Sequence, residues 1–117
     1  MNLHDLAQNI NARIFPGTGT TGQDVERVYA ADTMSDLMAH AAPNTLLVTS
    51  LNNNQLVRVA ELMDVPGICL AGGVEPSADL VSRAEAAGTS ILVSPHALER
   101  TLQLAGDALA GHRGPRS

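Results

Sequence analysis

Two glycine clusters and a handful of polar residues carry the chemistry available to this chain. The first cluster lies in PGTGTTG, residues 16–22, where Gly17, Gly19 and Gly22 have G-x-G-x-x-G spacing. In a dinucleotide-binding fold such glycines join a strand to a helix N-terminus, and a pyrophosphate rests on the free backbone N–H groups. The segment that follows, QDVERVYAAD, traces no sustained helical stripe, and Val28-Tyr29-Ala30 favours a strand. A ribose would also need an acidic residue about 20 positions on, and that neighbourhood holds Ala39, His40 and Ala41. PGTGTTG therefore reads as a flexible connection between two strands. The second cluster is Gly72-Gly73, directly after an apolar run. Two glycines there permit positive φ and a close backbone approach to a ligand, and a tight turn explains them as well.

Nucleophile–base sets are thin. His96 stands two residues from Ser94, but i, i+2 neighbours do not form a nucleophile–base pair by default, and no orienting acid is identifiable. His4, His40 and His112 are scattered, and no local spacing announces a metal site. Cys69 sits inside an apolar run and reads as an inert core residue. As the sole cysteine it has no intramolecular disulfide partner, which suits a reducing cytoplasm.

Periodicity supplies the elements that would position these residues. Leu3, Leu6, Ala7 and Ile10 mark a helix over residues 3–11, followed by a short strand over 13–15. A strand runs to Ala31. Thr33-Met-Ser-Asp36 is a capping box for a helix with Met34, Leu37, Met38 and Ala41 inward. Residues 45–49 (TLLVT), 67–71 (GICLA) and 90–93 (SILV) are buried strands. Helices over 53–63 and 77–87 lie between them, with Leu56, Ala60 and Met63, then Leu80, Ala84 and Ala87, facing in. Ser94 is expected to cap a last helix with Pro95 at its first position, and Leu98, Leu102, Ala105 and Leu109 form its inner face. Strands alternating with helices predict an α/β fold, a three-layer domain with a mostly parallel sheet flanked by helices. One domain over 1–110 and a flexible C-terminal tail over 111–117 are expected.

Composition narrows the function classes. The chain has 117 residues, enough to bury a core without metal or disulfide staples. All seven basic residues are arginine and the net charge is −5, so a nucleic-acid backbone would be repelled overall. Aromatics are 2% of the chain, too few for base-stacking platforms. Without lysine there is neither a Walker A lysine nor Schiff-base chemistry. The N-terminal MNLHDLAQNI has no basic-then-apolar signal pattern, and no apolar run is long enough to span a membrane. No cofactor is expected.

In an open parallel sheet, ligands bind beyond the carboxyl ends of the strands. The loops gathered there carry Asp32 and Thr33; Thr49, Ser50 and Asn52-Asn53-Asn54; Gly72, Gly73 and Glu75; and Ser94 and His96. Thr49, Asn52, Asn53, Gly72, Gly73 and Ser94 are the candidate ligand-binding residues. Helix capping is the competing role for Thr33, for Asn52 or Asn53, and for Ser94.

Residues 1–110 resemble a DRTGG domain. The anchors are AADTMSDLM, ICLAGGVEPS and the strand-loop-helix around SILVSPHALERT. The resemblance implies a regulatory or structural module with no established catalytic activity. Such modules occur in some phosphotransacetylases, beside CBS domains in certain pyrophosphatases, next to HPr kinases in a related form, and as small stand-alone proteins. It also implies a cytoplasmic prokaryotic protein and dimerisation. Gly72, Gly73, Asp32, Ser35, Pro76 and Ser94 match the family pattern. The eponymous Asp-Arg pair is replaced here by Ser50-Leu51-Asn52-Asn53, the Thr-Gly-Gly triplet by Ala71-Gly72-Gly73, and a following Asp-Thr by Ala97-Leu98.

The expected protein is a non-catalytic regulatory or ligand-sensing homodimer that binds a nucleotide or small anion at the carboxyl-end loops. The alternative is a purely structural subunit that docks on a partner enzyme. No nucleic acid or membrane partner is expected.

Overall fold

Three of the helices begin where the N-cap side chain takes up an otherwise orphaned backbone N–H. The computed structural model describes residues 1–15 and 23–112. Asn2 Oδ1 accepts from Asp5 N and opens α1 (Leu3–Asn9). Thr33 Oγ1 does the same for Asp36 N and opens α2 (Met34–His40). Ser77 Oγ caps α4 (Ala78–Ala87), which ends on Gly88 in the left-handed region at φ 74°. Between them, α3 (Gln55–Met63) stops at Asp64, also left-handed, at φ 58°. The final helix, α5, spans Leu98–His112.

The strands are β1 (Arg13–Ile14), β2 (Arg27–Ala30), β3 (Thr45–Thr49), β4 (Gly67–Leu70) and β5 (Ser90–Val93). They form one sheet in the order β1-β5-β4-β3-β2. Strands β2 to β5 are parallel, with Val48 opposite Cys69 and Cys69 opposite Leu92. Strand β1 joins β5 antiparallel, Arg13 opposite Val93. The fold is thus α/β, with a mostly parallel sheet between helical layers.

The parallel strands add in one direction, each next to its predecessor in sequence. Right-handed crossovers between such strands put every connecting helix on the same face. Accordingly α2, α3 and α4 share one core with Leu47, Ile68, Leu70 and Ile91. The opposite core holds Leu3, Leu6 and Ile10 of α1, Ala105 and Leu109 of α5, and Leu46, Val48, Cys69 and Leu92 of the strands. Strands β3, β4 and β5 are buried at every position, so they read as continuous apolar runs rather than alternating ones.

Three sequence expectations change. Pro95 does not begin the last helix, which starts at Leu98. Ser94 Oγ instead accepts from His96 N at 3.1 Å and pairs with Thr101 Oγ1 at 2.8 Å, so Ser94 closes a turn that precedes the helix. Met38 is 56% exposed because α2 covers the sheet at its β2 edge and buries fully only Leu37. Met63 and Leu102 likewise lie at the rims of their helices' buried faces and are exposed. PGTGTTG lies outside the described residues, as do residues 113–117; α5 itself takes in Gly111 and His112.

Candidate functional site

The loops after β2, β3, β4 and β5 meet at one end of the sheet because those strands are parallel and in register. What joins them is a set of side-chain and backbone hydrogen bonds between neighbouring loops. Asp32, after β2, reaches the loop after β3. Its Oδ1 accepts from Ser50 Oγ at 2.7 Å, Ser50 N at 2.8 Å and Thr49 Oγ1 at 3.3 Å. The Ser50 hydroxyl, then its N–H, hold the Asp32 carboxyl below the ordinary carboxylate range against an opposing desolvation, and Thr49 adds the least.

Asn52 makes the next connection. Its Nδ2 donates to Glu75 O and its Oδ1 accepts from Ser77 N, both at 2.9 Å. One amide side chain therefore satisfies a donor and an acceptor of the β4–α4 loop. Asn53 acts locally, accepting from Gln55 N at 2.8 Å at the start of α3. Asn54 Nδ2 donates to Asp79 Oδ2 in the first turn of α4.

The glycine pair completes the series. Gly72 N donates to His96 O at 2.6 Å and Gly73 N to Ser94 O at 2.8 Å, tying the loop after β4 to the loop after β5. Gly72 and Gly73 lie at φ 82° and 69°, where a side chain is strained. A Cβ on Gly73 would meet nothing within 4 Å, and one on Gly72 only Val74 Cγ2 at 3.9 Å. Backbone conformation, not crowding, is what requires glycine here. His96 Nε2 is buried and has no hydrogen-bond partner, while Thr101 Oγ1 donates to His96 O at 3.2 Å.

The six sequence-predicted residues are thus at one end of the sheet but at different depths. Asn52, Asn53, Gly72 and Gly73 are exposed; Thr49 and Ser94 are fully buried and hold the loops from beneath. Beside Gly73 a shallow depression of about 270 Å³ opens, lined by Asn11, Arg13, Gly73, Glu75, Val93 and Pro95. Sequence reasoning missed Arg13 as a member. Its guanidinium reaches Glu75 Oε2 at 2.6 Å across 62 positions of sequence. Only the antiparallel pairing of β1 with β5 brings it there, and no local pattern encodes that pairing.

Among the described residues there is no cluster of three metal-ligating His, Cys, Asp or Glu side chains. No described helix is long and apolar enough to cross a membrane. Burial pushes the Cys69 thiol up to about 12.

Comparison with known proteins adds a family and a fold. A family model described as the DRTGG domain matches residues 5–106. A search of curated proteins returns no match. Among solved structures, the chain is similar to the CBS and DRTGG domains of the regulatory region of Clostridium perfringens pyrophosphatase, whose structure is a complex with its activator, diadenosine tetraphosphate. The TM-score is 0.66 at 14% identity, over 88% of this chain and 45% of the other. The chain therefore spans about half the length of that neighbour.

Proposed function

The chain belongs to the DRTGG domain family, and from that premise we propose that it is a non-catalytic, ligand-sensing regulatory module that works as a homodimer. Its ligand is a nucleotide or other small anion held at the carboxyl ends of the strands. The observation that carries this reading is the Gly73 depression, where the loops after β4 and β5 meet the β1 edge and Arg13 contributes a guanidinium. A phosphate or carboxylate there would compete with Glu75 for Arg13, and a bidentate Arg–phosphate pair is the stronger partner. Gly73 lines the depression itself, and Asn52, Asn53 and Gly72 are exposed on the loops beside it, with Thr49 and Ser94 buried beneath. The interloop bonds of Asp32, Asn52, Gly72 and Gly73 provide a route by which a ligand on one loop shifts the others. The nucleotide activator in the complex of the pyrophosphatase regulatory region supports nucleotides as the first class to try.

The way the Ser94–His96 pair is used supports a non-catalytic role. Ser94 Oγ is fully buried and engaged by Thr101 and His96 N, which leaves no exposed nucleophile there. The exposed Met38, Leu62 and Met63, all on the α2–α4 layer, support association through that layer.

The test is thermal unfolding with a panel of mono-, di- and dinucleoside phosphates and acyl phosphates. A bound ligand raises the midpoint by mass action. Arg13→Ala should lower that rise for the nucleotides, and Glu75→Ala, which frees Arg13, should strengthen it. No rise with any of the panel rejects the ligand-sensing reading. Light scattering over a concentration series checks the dimer, and a strictly monomeric chain rejects it.

A further inference from the structure

The described part of this acidic chain contains two arginines that no side chain or carbonyl engages, and both face one cleft. Arg13 meets Glu75, Arg27 donates to Pro43 O and Arg100 donates to Gln103 Oε1. Arg58, on α3, and Arg83, on α4, have no hydrogen-bond or ion-pair partner among the described residues. They line a cleft of about 200 Å³ together with Asn54 and Gln55. The net charge is −5, so carboxylates are in excess over arginines, yet neither guanidinium is neutralised.

We propose that this α3–α4 cleft is a second anion site, distinct from the Gly73 depression, that holds a phosphoryl group between Arg58 and Arg83. The lining residues are all polar, two amides and two guanidiniums, and the cleft's surface is more polar than apolar. That suits a charged group better than a protein side-chain cluster, whose interfaces have an apolar centre. Small-molecule sites usually enclose about 300–1,000 Å³, so this cleft, like the Gly73 depression, takes in the phosphoryl part of a ligand and leaves the rest outside. Two guanidiniums present planar donor forks that match phosphate oxygens. Asn54 is anchored by its bond to Asp79, which fixes one wall. Recognition rests on side chains, because the first-turn amides of α3 are already used: Gln55 N donates to Asn53 Oδ1, Leu56 N to Asn53 O and Val57 N to Asn54 O.

Thermal unfolding in inorganic phosphate against chloride at matched ionic strength tests the site. At about ten times the half-saturating phosphate concentration, the wild-type midpoint should rise by roughly 4–8 °C. Arg58→Ala/Arg83→Ala should keep the wild-type midpoint in chloride and lose most of the rise in phosphate. Arg58→Gln/Arg83→Gln serves if the alanine pair does not fold. Arg100→Ala, an arginine outside the cleft, removes the generic charge effect from the comparison and should retain the rise. Arg13→Ala should retain it too, which separates failure here from failure at the Gly73 depression. An AMP series distinguishes the source: half-saturation equal to that of phosphate indicates free phosphate, and tighter half-saturation indicates a phosphate ester. Equal phosphate responses in wild type and the double variant would overturn the proposal. So would a loss of dimer in the double variant without a phosphate response in the wild type, since the cleft would then receive a second copy.

Discussion

Asp32 is the residue on which the carboxyl-end loops depend most locally. One carboxylate oxygen takes three donors from Ser50 and Thr49, and the Ser50 hydroxyl is the chief cause of its lowered pKa. A group with a lowered native pKa adds stability above its unfolded value, near 3.8, and loses it as pH falls through the native value. Asp32→Ala should therefore cost about 1 kcal/mol at neutral pH, a modest figure because the site is solvent-screened. Urea unfolding at pH 7 and near pH 3 checks this: the gap between wild type and variant should narrow at the lower pH. A gap independent of pH would mean that charge plays no part. Cys69 shows the opposite environment. Its thiol is pushed up by burial alone, so the thiolate is scarce and inaccessible in the native state. A thiol reagent should modify Cys69 only at the rate at which the sheet opens.

At the scale of elements, the glycine turn after β4 is held by conformation. Gly72→Ala and Gly73→Ala meet no steric obstacle, so each should cost the left-handed penalty of about 1–2 kcal/mol and little more. Denaturant melts of both variants measure this, and a much larger loss would reveal a close contact at the turn. Asn52→Ala should cost about 1–2 kcal/mol, because two bonds to the β4–α4 loop are lost together. What the sequence announces and what it hides divide along these lines. TLLVT and SILV are legible to the residue because strands buried on both faces must be continuous apolar runs. Thr33 is legible because its cap is made three residues away. The start of α5 is not, since Ser94 pairs with Thr101, seven residues on, instead of capping. The exposure of Met38 depends on how far α2 reaches over the sheet edge, which helical period alone does not encode. Asn52 reads locally as a cap or a ligand contact, but its partners lie 23 and 25 positions away. Arg58 and Arg83 are likewise 25 positions apart as single charges, and only the side-by-side packing of α3 and α4 makes them a pair.

At the scale of the whole molecule, the two helical layers divide the work. The α2–α4 layer carries the exposed Met38, Leu62 and Met63 and the Arg58–Arg83 cleft. The α1–α5 layer closes the other face of the sheet over Cys69. The sheet order also sets an order in time. Strands β2 to β5 each pair with a near neighbour along the chain, so their contacts close short loops. Strand β1 must cross almost the entire domain to find β5, Arg13 waiting for Val93 and Phe15 N for Ile91 O. Although it is made first, β1 should dock last. In pulsed hydrogen exchange during refolding, the amides of Ile68 and Leu70 on β4 should gain protection before that of Phe15 does. The edge that brings Arg13 to the Gly73 depression would then be the final part of the domain to form and the earliest to let go.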